Sequence, residues 1–208
     1  MSTTPRHHVV ILPVKPPAIG KSRLTGLPDD VRRRLAGAFA LDTARAALMT
    51  PGVTAVLAVT DDYRFASQLR ELGCEVIPDG TTTDLNVVLV QAAAEAVRRW
   101  EGAWPVVLCA DLPTLRSEEL ADVLDALPPD SPGFVRDSSG TGTTVYGAPV
   151  GLFAPYFGPG SAGAHVAAGA QEVVVPAPTV RHDVDDVEAL NVARELGLGP
   201  HTSAIDLD

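Results

Sequence analysis

The chain has 208 residues, which suffices for one well-buried α/β core and is short for two. Hydrophobic residues make up 46% of it and charged residues 20%, a composition typical of a folded globular protein and not of a disordered one. The formal net charge of −10 argues against broad electrostatic attraction to nucleic acid or to an anionic membrane surface.

These properties predict a single domain over residues 1–208, with loose tails at 1–7 and 200–208. No apolar run approaches the ~20 residues that span a bilayer, so we expect no membrane association and a cytoplasmic location. The sequence does not determine the oligomeric state, and a homo-oligomer is compatible with it. Cys74 and Cys109 lie in apolar stretches without a Cys/His cluster, which predicts core packing and no zinc site.

The first part of the chain alternates between strand and helix patterns. The predicted strands are 9–14, 53–60, 74–77 and 105–110, and the predicted helices are 28–49, 61–72, 84–100 and 117–127. Asp62, Asp84 and Ser117 stand where helix N-caps are expected, and Gly73 stands where a helix ends. This alternation predicts an α/β fold with a mainly parallel sheet and helices on both faces.

The pattern changes after Pro132, where Gly- and Pro-rich segments separate shorter apolar runs. We expect strands at 133–136 and 172–175, a short helix at 161–169, and a terminal helix at 185–196 that ends at Gly197. The strands in this part are expected to be partly antiparallel, so the whole sheet is predicted to be mixed.

Lysine occurs at one place only. Lys15 and Lys21 are the only lysines, and they lie with Arg23 directly behind the first predicted strand. A loop at this position often binds phosphate in α/β proteins, which predicts a phosphate-handling enzyme. A solvated loop that happens to carry two lysines explains the pattern equally well.

Two aspartates are candidate metal ligands. Asp111 follows an apolar strand, and ligands bind outside the carboxyl ends of strands in open α/β sheets, where a carboxylate can hold Mg²⁺ against phosphate oxygens. Asp183 follows a β-like segment, whereas Asp185 and Asp186 are expected to cap the terminal helix. Alternatively, Asp111 only begins a turn. The pair His182-Asp183 also suggests an HD-type phosphohydrolase, but that chemistry needs an upstream histidine and a downstream aspartate on helices, and the surroundings here are typical of strand and loop.

Two loops of small residues, 140–143 and 158–161, are candidate anion-binding sites. They combine glycine with hydroxyl side chains, so their backbone N–H groups are accessible to a small anion. Tight turns explain the same residues, and no Walker A motif is present. His165 either faces a ligand bound at Ser161 or is an ordinary helix residue. Asn86 is a weaker candidate for nucleotide contact.

Taken together, these segments resemble one known family. The matching segments are VKPPAIGKSRL (14–24), DLN (84–86), ADLP (110–113), DSSGTGT (137–143), FGPGS (157–161) with His165, and DVD (183–185). They follow the expected order from about residue 9 to residue 199. They are similar to the guanylyltransferase family that activates a phosphorylated three-carbon acid during biosynthesis of the deazaflavin coenzyme F-420.

The resemblance implies a three-layer α/β/α nucleotidyltransferase-like fold of the nucleotide-diphospho-sugar transferase type. It implies that Mg²⁺ supports transfer of GMP from GTP to phosphoenolpyruvate, 2-phospho-L-lactate or 3-phosphoglycerate, with release of pyrophosphate. The preference for arginine over lysine and the heavy use of alanine, valine, glycine and proline fit a high-GC genome. Family members from high-GC bacteria are associated with phosphoenolpyruvate, which favours that acid.

The resemblance also assigns roles to individual residues. Asp111 and Asp183 would hold Mg²⁺. Thr143, Gly158 and Ser161 would bind the phosphorylated acid. Lys15, Lys21, Arg23 and Asn86 would bind the nucleotide, and the candidate catalytic residues are Lys21, Arg23, Asp111 and Asp183. The family often has arginine after the aspartate that opens segment 137–143. Here Ser138 stands in that place and Arg136 precedes the aspartate, so the arginine role is not assigned.

Two other classes of protein are compatible with parts of the sequence. Another small nucleotidyltransferase, such as a molybdenum-cofactor type, usually has a glycine-rich signature after the first strand, whereas this chain has Pro16-Pro17 and only Gly20 there. A non-catalytic nucleotide-binding α/β domain would need the basic loop but not the pair Asp111 and Asp183. No motif indicates why guanine would be preferred over adenine.

Overall fold

A seven-stranded sheet forms the centre of the fold. The computed structural model describes residues 6–15, 24, 26–80 and 82–206, so Lys21 and Arg23 lie outside the described residues. The strands are β1 (His8–Pro13), β2 (Val53–Val59), β3 (Glu75–Ile77), β4 (Trp104–Leu108), β5 (Gly133–Arg136), β6 (Thr143–Gly147) and β7 (Gln171–Glu172). Their order across the sheet is β3-β2-β1-β4-β6-β5-β7.

The direction of β6 is the feature of the sheet that matters most for the site. β1 pairs in parallel with β2 and β4, β2 pairs in parallel with β3, and β5 with β7. β6 runs antiparallel to both of its neighbours, β4 and β5. Its first residue, Thr143, therefore lies at the edge of the sheet where β4 and β5 end. The prediction of a mixed, mainly parallel sheet is confirmed.

Helices cover both faces of the sheet. They are α1 (Asp29–Leu48), α2 (Tyr63–Leu72), α3 (Leu85–Arg99), α4 (Ser117–Ala126), α5 (Ser161–Ala167), α6 (Pro178–Arg181), α7 (Val187–Leu196) and α8 (Pro200–Ser203), with a 3-10 turn at Val150–Leu152. Successive residues of β1 point to opposite faces: Val10 and Leu12 belong to a core shared with α1, α2 and α4, and Ile11 to a core shared with α3 and α5. This arrangement confirms the predicted three-layer α/β/α fold.

A third apolar cluster joins α1 to the end of the chain. Leu35 and Phe39 of α1 pack with Leu190 and Ala193 of α7. Within the part of the chain that the structure describes, no helix has the length and apolar character needed to cross a bilayer.

Two of the three predicted N-caps are confirmed. The Asp62 carboxylate accepts hydrogen bonds from the backbone N–H groups of residues 64 and 65, and the Asp84 carboxylate accepts them from residues 86 and 87. Ser117 is not a cap: residue 116 holds that position, and the Ser117 hydroxyl donates instead to the Ala46 carbonyl 2.8 Å away. The Ser117 hydroxyl thus bonds to a carbonyl in the last turn of α1 instead of capping α4. The sequence around Ser117 does not contain this distant partner.

The expectation of loose tails is wrong for the described residues nearest the termini. The buried Asp42 carboxylate of α1 accepts from the backbone N–H groups of His201 (2.9 Å) and Thr202 (2.8 Å), at the beginning of α8. Thr202 is 3% exposed. At the other end, Arg6 donates to the Leu127 carbonyl at 2.8 Å. Both ends are therefore attached by contacts between residues more than 100 positions apart in sequence.

Candidate active site

Three aspartates meet at the edge of the sheet where β4 ends. Asp111 lies three residues beyond β4, and its carbonyl accepts the backbone N–H of Val184 at 3.0 Å. This bond brings segment 183–185 to the end of β4. The carboxylates of Asp111, Asp183 and Asp185 each provide an oxygen within 4.8 Å of the others, and we call this group the acidic cluster.

Asp185 is the member of the acidic cluster that sequence reasoning missed. We expected it to cap the terminal helix, but Asp186 alone is the N-cap of α7 and accepts from the Ala189 N–H at 2.8 Å. Residues 182–185 are neither helix nor strand, and in an extended segment residues two apart share a face. The spacing Asp-x-Asp at 183 and 185 was therefore the signal available in the sequence.

The acidic cluster is electrostatically strained in the absence of a cation. Burial, together with the negative charges of Asp111, Asp137 and Asp185, raises the pKa of Asp183 from 3.8 to about 7. Carboxylates this close to one another repel, so at neutral pH the group favours either a proton or a bound cation. Oxygen ligands of this kind are those that Mg²⁺ and similar hard divalent cations prefer.

The surroundings of Asp183 differ in one respect from the sequence prediction. The segment before it is the short helix α6 and not a β-like segment. His182 is buried, and its Nε2 atom lies 2.8 Å from the Ala189 carbonyl oxygen in α7. The His182 ring thus contacts the helix backbone, and it does not belong to the acidic cluster.

A carboxylate organises the loop between β5 and β6. Asp137 accepts from the N–H of Thr141 (3.0 Å) with one oxygen and from the N–H of Gly142 (2.9 Å) with the other. A Cβ atom at Gly142 would collide with this carboxylate and displace it, so the position favours glycine. The expectation that backbone N–H groups of loop 140–143 bind an anion is wrong for these two residues, because Asp137 already accepts from both.

The three residues predicted to bind the acid lie on connected elements. Thr143 begins β6, Gly158 lies in the loop before α5, and Ser161 is the first residue of α5. The Ser161 N–H donates to the Gly158 carbonyl, and the N–H of residue 162 donates to the carbonyl of residue 141, both at 3.1 Å. Gly158 has φ +142°, a conformation that favours glycine. We call these three residues the acid cradle.

Asn86 is bonded to the segment that precedes Gly158. Its side-chain amide donates to the Phe157 carbonyl at 3.0 Å and accepts from the Phe157 N–H at 2.7 Å. This pair of hydrogen bonds attaches the loop before α5 to the first turn of α3. The nucleotide contact predicted for Asn86 stays a prediction.

The described basic residues near this edge have different surroundings. Lys15 is exposed and lies two residues beyond β1, at the edge where the acidic cluster lies. Arg136 forms an ion pair with Glu172 at 2.8 Å and donates to the Gly140 carbonyl at 2.9 Å. Arg136 thus supports loop 137–142, and the nucleotide contact predicted for Lys15 stays a prediction.

Comparison with known proteins identifies the family. Residues 8–145 match the model of the family described as "Guanylyl transferase CofC like". A phosphoenolpyruvate guanylyltransferase of Thermomonospora curvata is 41% identical over 198 residues, covering 94% of this chain and 87% of its own length. The chain belongs to the CofC-like guanylyltransferase family. The corresponding protein of Streptomyces coelicolor is 44% identical over 200 residues and is matched over 94% of both chains.

The fold of this CofC-like chain also occurs among solved structures. A Desulfovibrio desulfuricans protein described as a nucleotide-diphospho-sugar transferase superposes with a TM-score of 0.64 at 17% identity, covering 90% of this chain and 86% of its own. The nucleotide-diphospho-sugar transferase type of fold, expected from the sequence, is thereby confirmed. The CofC-like match includes Asp111 and Thr143, while Asp183 and Ser161 lie beyond its end at residue 145.

Proposed function

We propose that the protein transfers GMP from GTP to the phosphate of phosphoenolpyruvate, giving enolpyruvyl-diphospho-guanosine and pyrophosphate. The observation that carries the proposal is the acidic cluster at the same edge of the sheet as Thr143, in a chain of the CofC-like family. Relatives at 41% and 44% identity are named phosphoenolpyruvate guanylyltransferases, which favours this acid over 2-phospho-L-lactate and 3-phosphoglycerate.

The acidic cluster fits a divalent cation, and we propose Mg²⁺. Asp111, Asp183 and Asp185 would hold it, because they supply closely spaced oxygens whose mutual repulsion a cation would relieve. When bound, such an ion neutralises phosphate charge and orients the phosphates.

The reaction requires no nucleophile from the protein. An oxygen of the acid's phosphate attacks the α-phosphorus of GTP and forms the new P–O bond. The bond from the α-phosphorus to the oxygen of the β-phosphate breaks, and that oxygen leaves with its electron pair as part of pyrophosphate. The protein must therefore align two anions that repel each other and stabilise charge on the leaving group.

The chain offers separate groups of residues for these tasks. We propose that the acid cradle binds the phosphorylated acid, while Lys15 and Asn86, with Lys21 and Arg23 outside the described residues, bind GTP. Lys21 and Arg23 would stabilise the leaving pyrophosphate. The activated acid would serve coenzyme F-420 biosynthesis, and we propose that the protein works in the cytoplasm, where both substrates occur.

Pyrophosphate release tests the proposal. Purified protein is incubated with Mg²⁺, with GTP or ATP, and with each of the three acids in turn. We expect release with GTP and phosphoenolpyruvate, and a loss of about 100-fold or more in Asp111→Asn. Asp186→Asn is the matched control, since asparagine still caps α7 and the position is outside the acidic cluster. Failure with every acid, or an Asp111→Asn enzyme as fast as the parent, would refute the proposal.

Two further variants separate the two substrates. Ser161→Ala should raise KM for the acid, and Lys21→Ala should raise KM for GTP, because each removes a contact to one substrate only. The opposite pattern would mean that the two binding sites have been exchanged.

A further inference from the structure

His165 lies beneath the acid cradle and is shielded from solvent. It is 0% exposed, on the inner side of α5. Its ring stacks on Tyr146 of β6 (centroids 4.8 Å apart) and on Phe134 of β5 (5.5 Å), and Phe157 meets it edge-on at 5.5 Å. Its two ring nitrogens lie within hydrogen-bond distance of Thr143 and Tyr156, so these contacts favour the alternative in which His165 is a helix residue over the one in which it faces a ligand. Its contacts indicate a different role.

The hydrogen bonds of His165 determine which nitrogen carries the proton. The backbone N–H of Tyr156 donates to Nε2 at 2.9 Å, and a backbone N–H cannot accept. Nε2 therefore carries the lone pair, and the proton of the neutral ring is on Nδ1. Burial lowers the pKa of His165 from 6.5 to about 4, so the ring is neutral at physiological pH.

This tautomer restricts what the Thr143 hydroxyl can do. Thr143 Oγ1 lies 3.0 Å from His165 Nδ1, and Thr143 is 5% exposed. Because Nδ1 is protonated, the hydroxyl can only accept from the histidine. Its own hydrogen is then available to another acceptor. Anions such as phosphate and carboxylate are pure acceptors, so a hydroxyl held in this state is suited to donate to one.

We propose that His165 is a positioning residue that makes the Thr143 hydroxyl a hydrogen-bond donor to the phosphorylated acid and fixes the spacing of the acid cradle. The inference rests on the proposed function and deepens it. His165 is carried by the helix that Ser161 begins, is bonded to Thr143, and is bonded to Tyr156 two residues before Gly158. It thus connects the three elements on which the acid cradle lies.

Two substitutions separate the two hydrogen bonds. The side-chain amide of asparagine can place a donor near the position of Nδ1, and His165→Asn therefore keeps the bond to Thr143. The longer glutamine can place its oxygen near the position of Nε2, so His165→Gln keeps the bond to Tyr156 and leaves Thr143 without its donor. If His165 only filled space, the larger glutamine would replace it better than the smaller asparagine, which is the opposite order.

The experiment combines kinetics of the variants with nitrogen NMR of the free protein, which does not depend on activity. We expect His165→Gln to raise KM for phosphoenolpyruvate about tenfold, with KM for GTP within about twofold, and His165→Asn to stay within about threefold of the parent. In a Thr143→Val background the difference between the two variants should disappear. Phe153→Leu is the packing control: Phe153 meets Tyr146 edge-on at 5.4 Å and makes none of these hydrogen bonds. It should lower stability and leave both KM values unchanged.

Nitrogen NMR of the free parent protein should show neutral His165 with its proton on Nδ1 at pH 7. The inference is overturned if the proton is on Nε2 or if the two variants have equal KM values for the acid. It is also overturned if His165→Gln raises the KM values for phosphoenolpyruvate and GTP in parallel. If the parent transfers GMP to none of the acids, the proposed function fails separately. The inference is then decided by the tautomer and by calorimetric binding of phosphoenolpyruvate to the same variants, and absence of that binding refutes it.

Discussion

Removing the charge of Asp183 should stabilise the metal-free protein. In the folded state burial and the neighbouring carboxylates raise the pKa of Asp183 from 3.8 to about 7. The folded state therefore binds the proton more tightly than the unfolded state does. The resulting stabilisation is complete below about pH 4 and is lost as the pH rises through 7. Above pH 7 the ionised Asp183 carboxylate therefore destabilises the folded protein. Asp183→Asn keeps the size of the side chain and removes the charge that causes this destabilisation.

The size of the effect follows from the difference between the two pKa values. At about 1.4 kcal/mol per pKa unit, the difference between 3.8 and about 7 corresponds to ~4 kcal/mol. Asp183 is partly exposed, and solvent screening lowers the expected value to ~2–4 kcal/mol at pH 8. At pH 5 the advantage of the variant should shrink to ~1–2 kcal/mol, because Asp183 of the folded parent is then protonated.

Urea denaturation with a chelator, at pH 5 and pH 8, measures this difference. Mg²⁺ at about 100 times its Kd should then stabilise the parent by ~3 kcal/mol and the variant by much less, because the variant has lost a ligand. Asp186→Asn, which retains its cap, should respond to Mg²⁺ like the parent. This prediction is wrong if Asp183→Asn is no more stable than the parent at pH 8 without metal, or if Mg²⁺ stabilises both equally.

Three further predictions concern other parts of the molecule. Gly142→Ala should cost about 1–3 kcal/mol of unfolding free energy and raise KM for the acid, because the new methyl group displaces the Asp137 carboxylate; unchanged values in denaturation and kinetics would contradict this. Asp42→Ala should lower the unfolding free energy by about 1–3 kcal/mol and speed amide hydrogen exchange at His201 and Thr202. Unchanged exchange at both amides would show that the contact with Asp42 does not stabilise α8. Burial and Arg6 lower the pKa of His8 from 6.5 to about 4, so stability present above pH 6.5 is lost as the pH falls through 4. The unfolding free energy should fall between pH 7 and pH 4 by ~2–3 kcal/mol less in His8→Phe than in the parent. An equal fall in both proteins would exclude this contribution of His8.

The features of the fold and of the candidate site that sequence reasoning reached depend on local rules. Asp111 was chosen as a candidate ligand because ligands bind beyond the carboxyl ends of strands, and that rule needs only one strand and the residues that follow it. Asp62 and Asp84 were found because an N-cap is recognised within four residues. The order of helices and strands follows from apolar periodicity in the same way.

The parts that sequence reasoning missed depend on contacts between distant segments. Asp185 also fits a helix cap, and the spacing Asp-x-Asp alone does not distinguish that role from a place in the acidic cluster. The position of segment 183–185 beside Asp111 distinguishes them. The burial of His165 depends on Tyr146 and Phe134, which the antiparallel pairing of β6 and β5 brings together. No local pattern around His165 contains that pairing.

Enzyme stripped of metal and supplied with GTP and phosphoenolpyruvate shows whether the protein transfers GMP with the help of a divalent cation. We expect a product with the mass of phosphoenolpyruvate plus GMP less one water, formed with an equal amount of pyrophosphate only after Mg²⁺ is restored. Formation of that product at the same rate without a divalent cation, or its absence from a folded enzyme supplied with Mg²⁺, would exclude Mg²⁺-dependent GMP transfer.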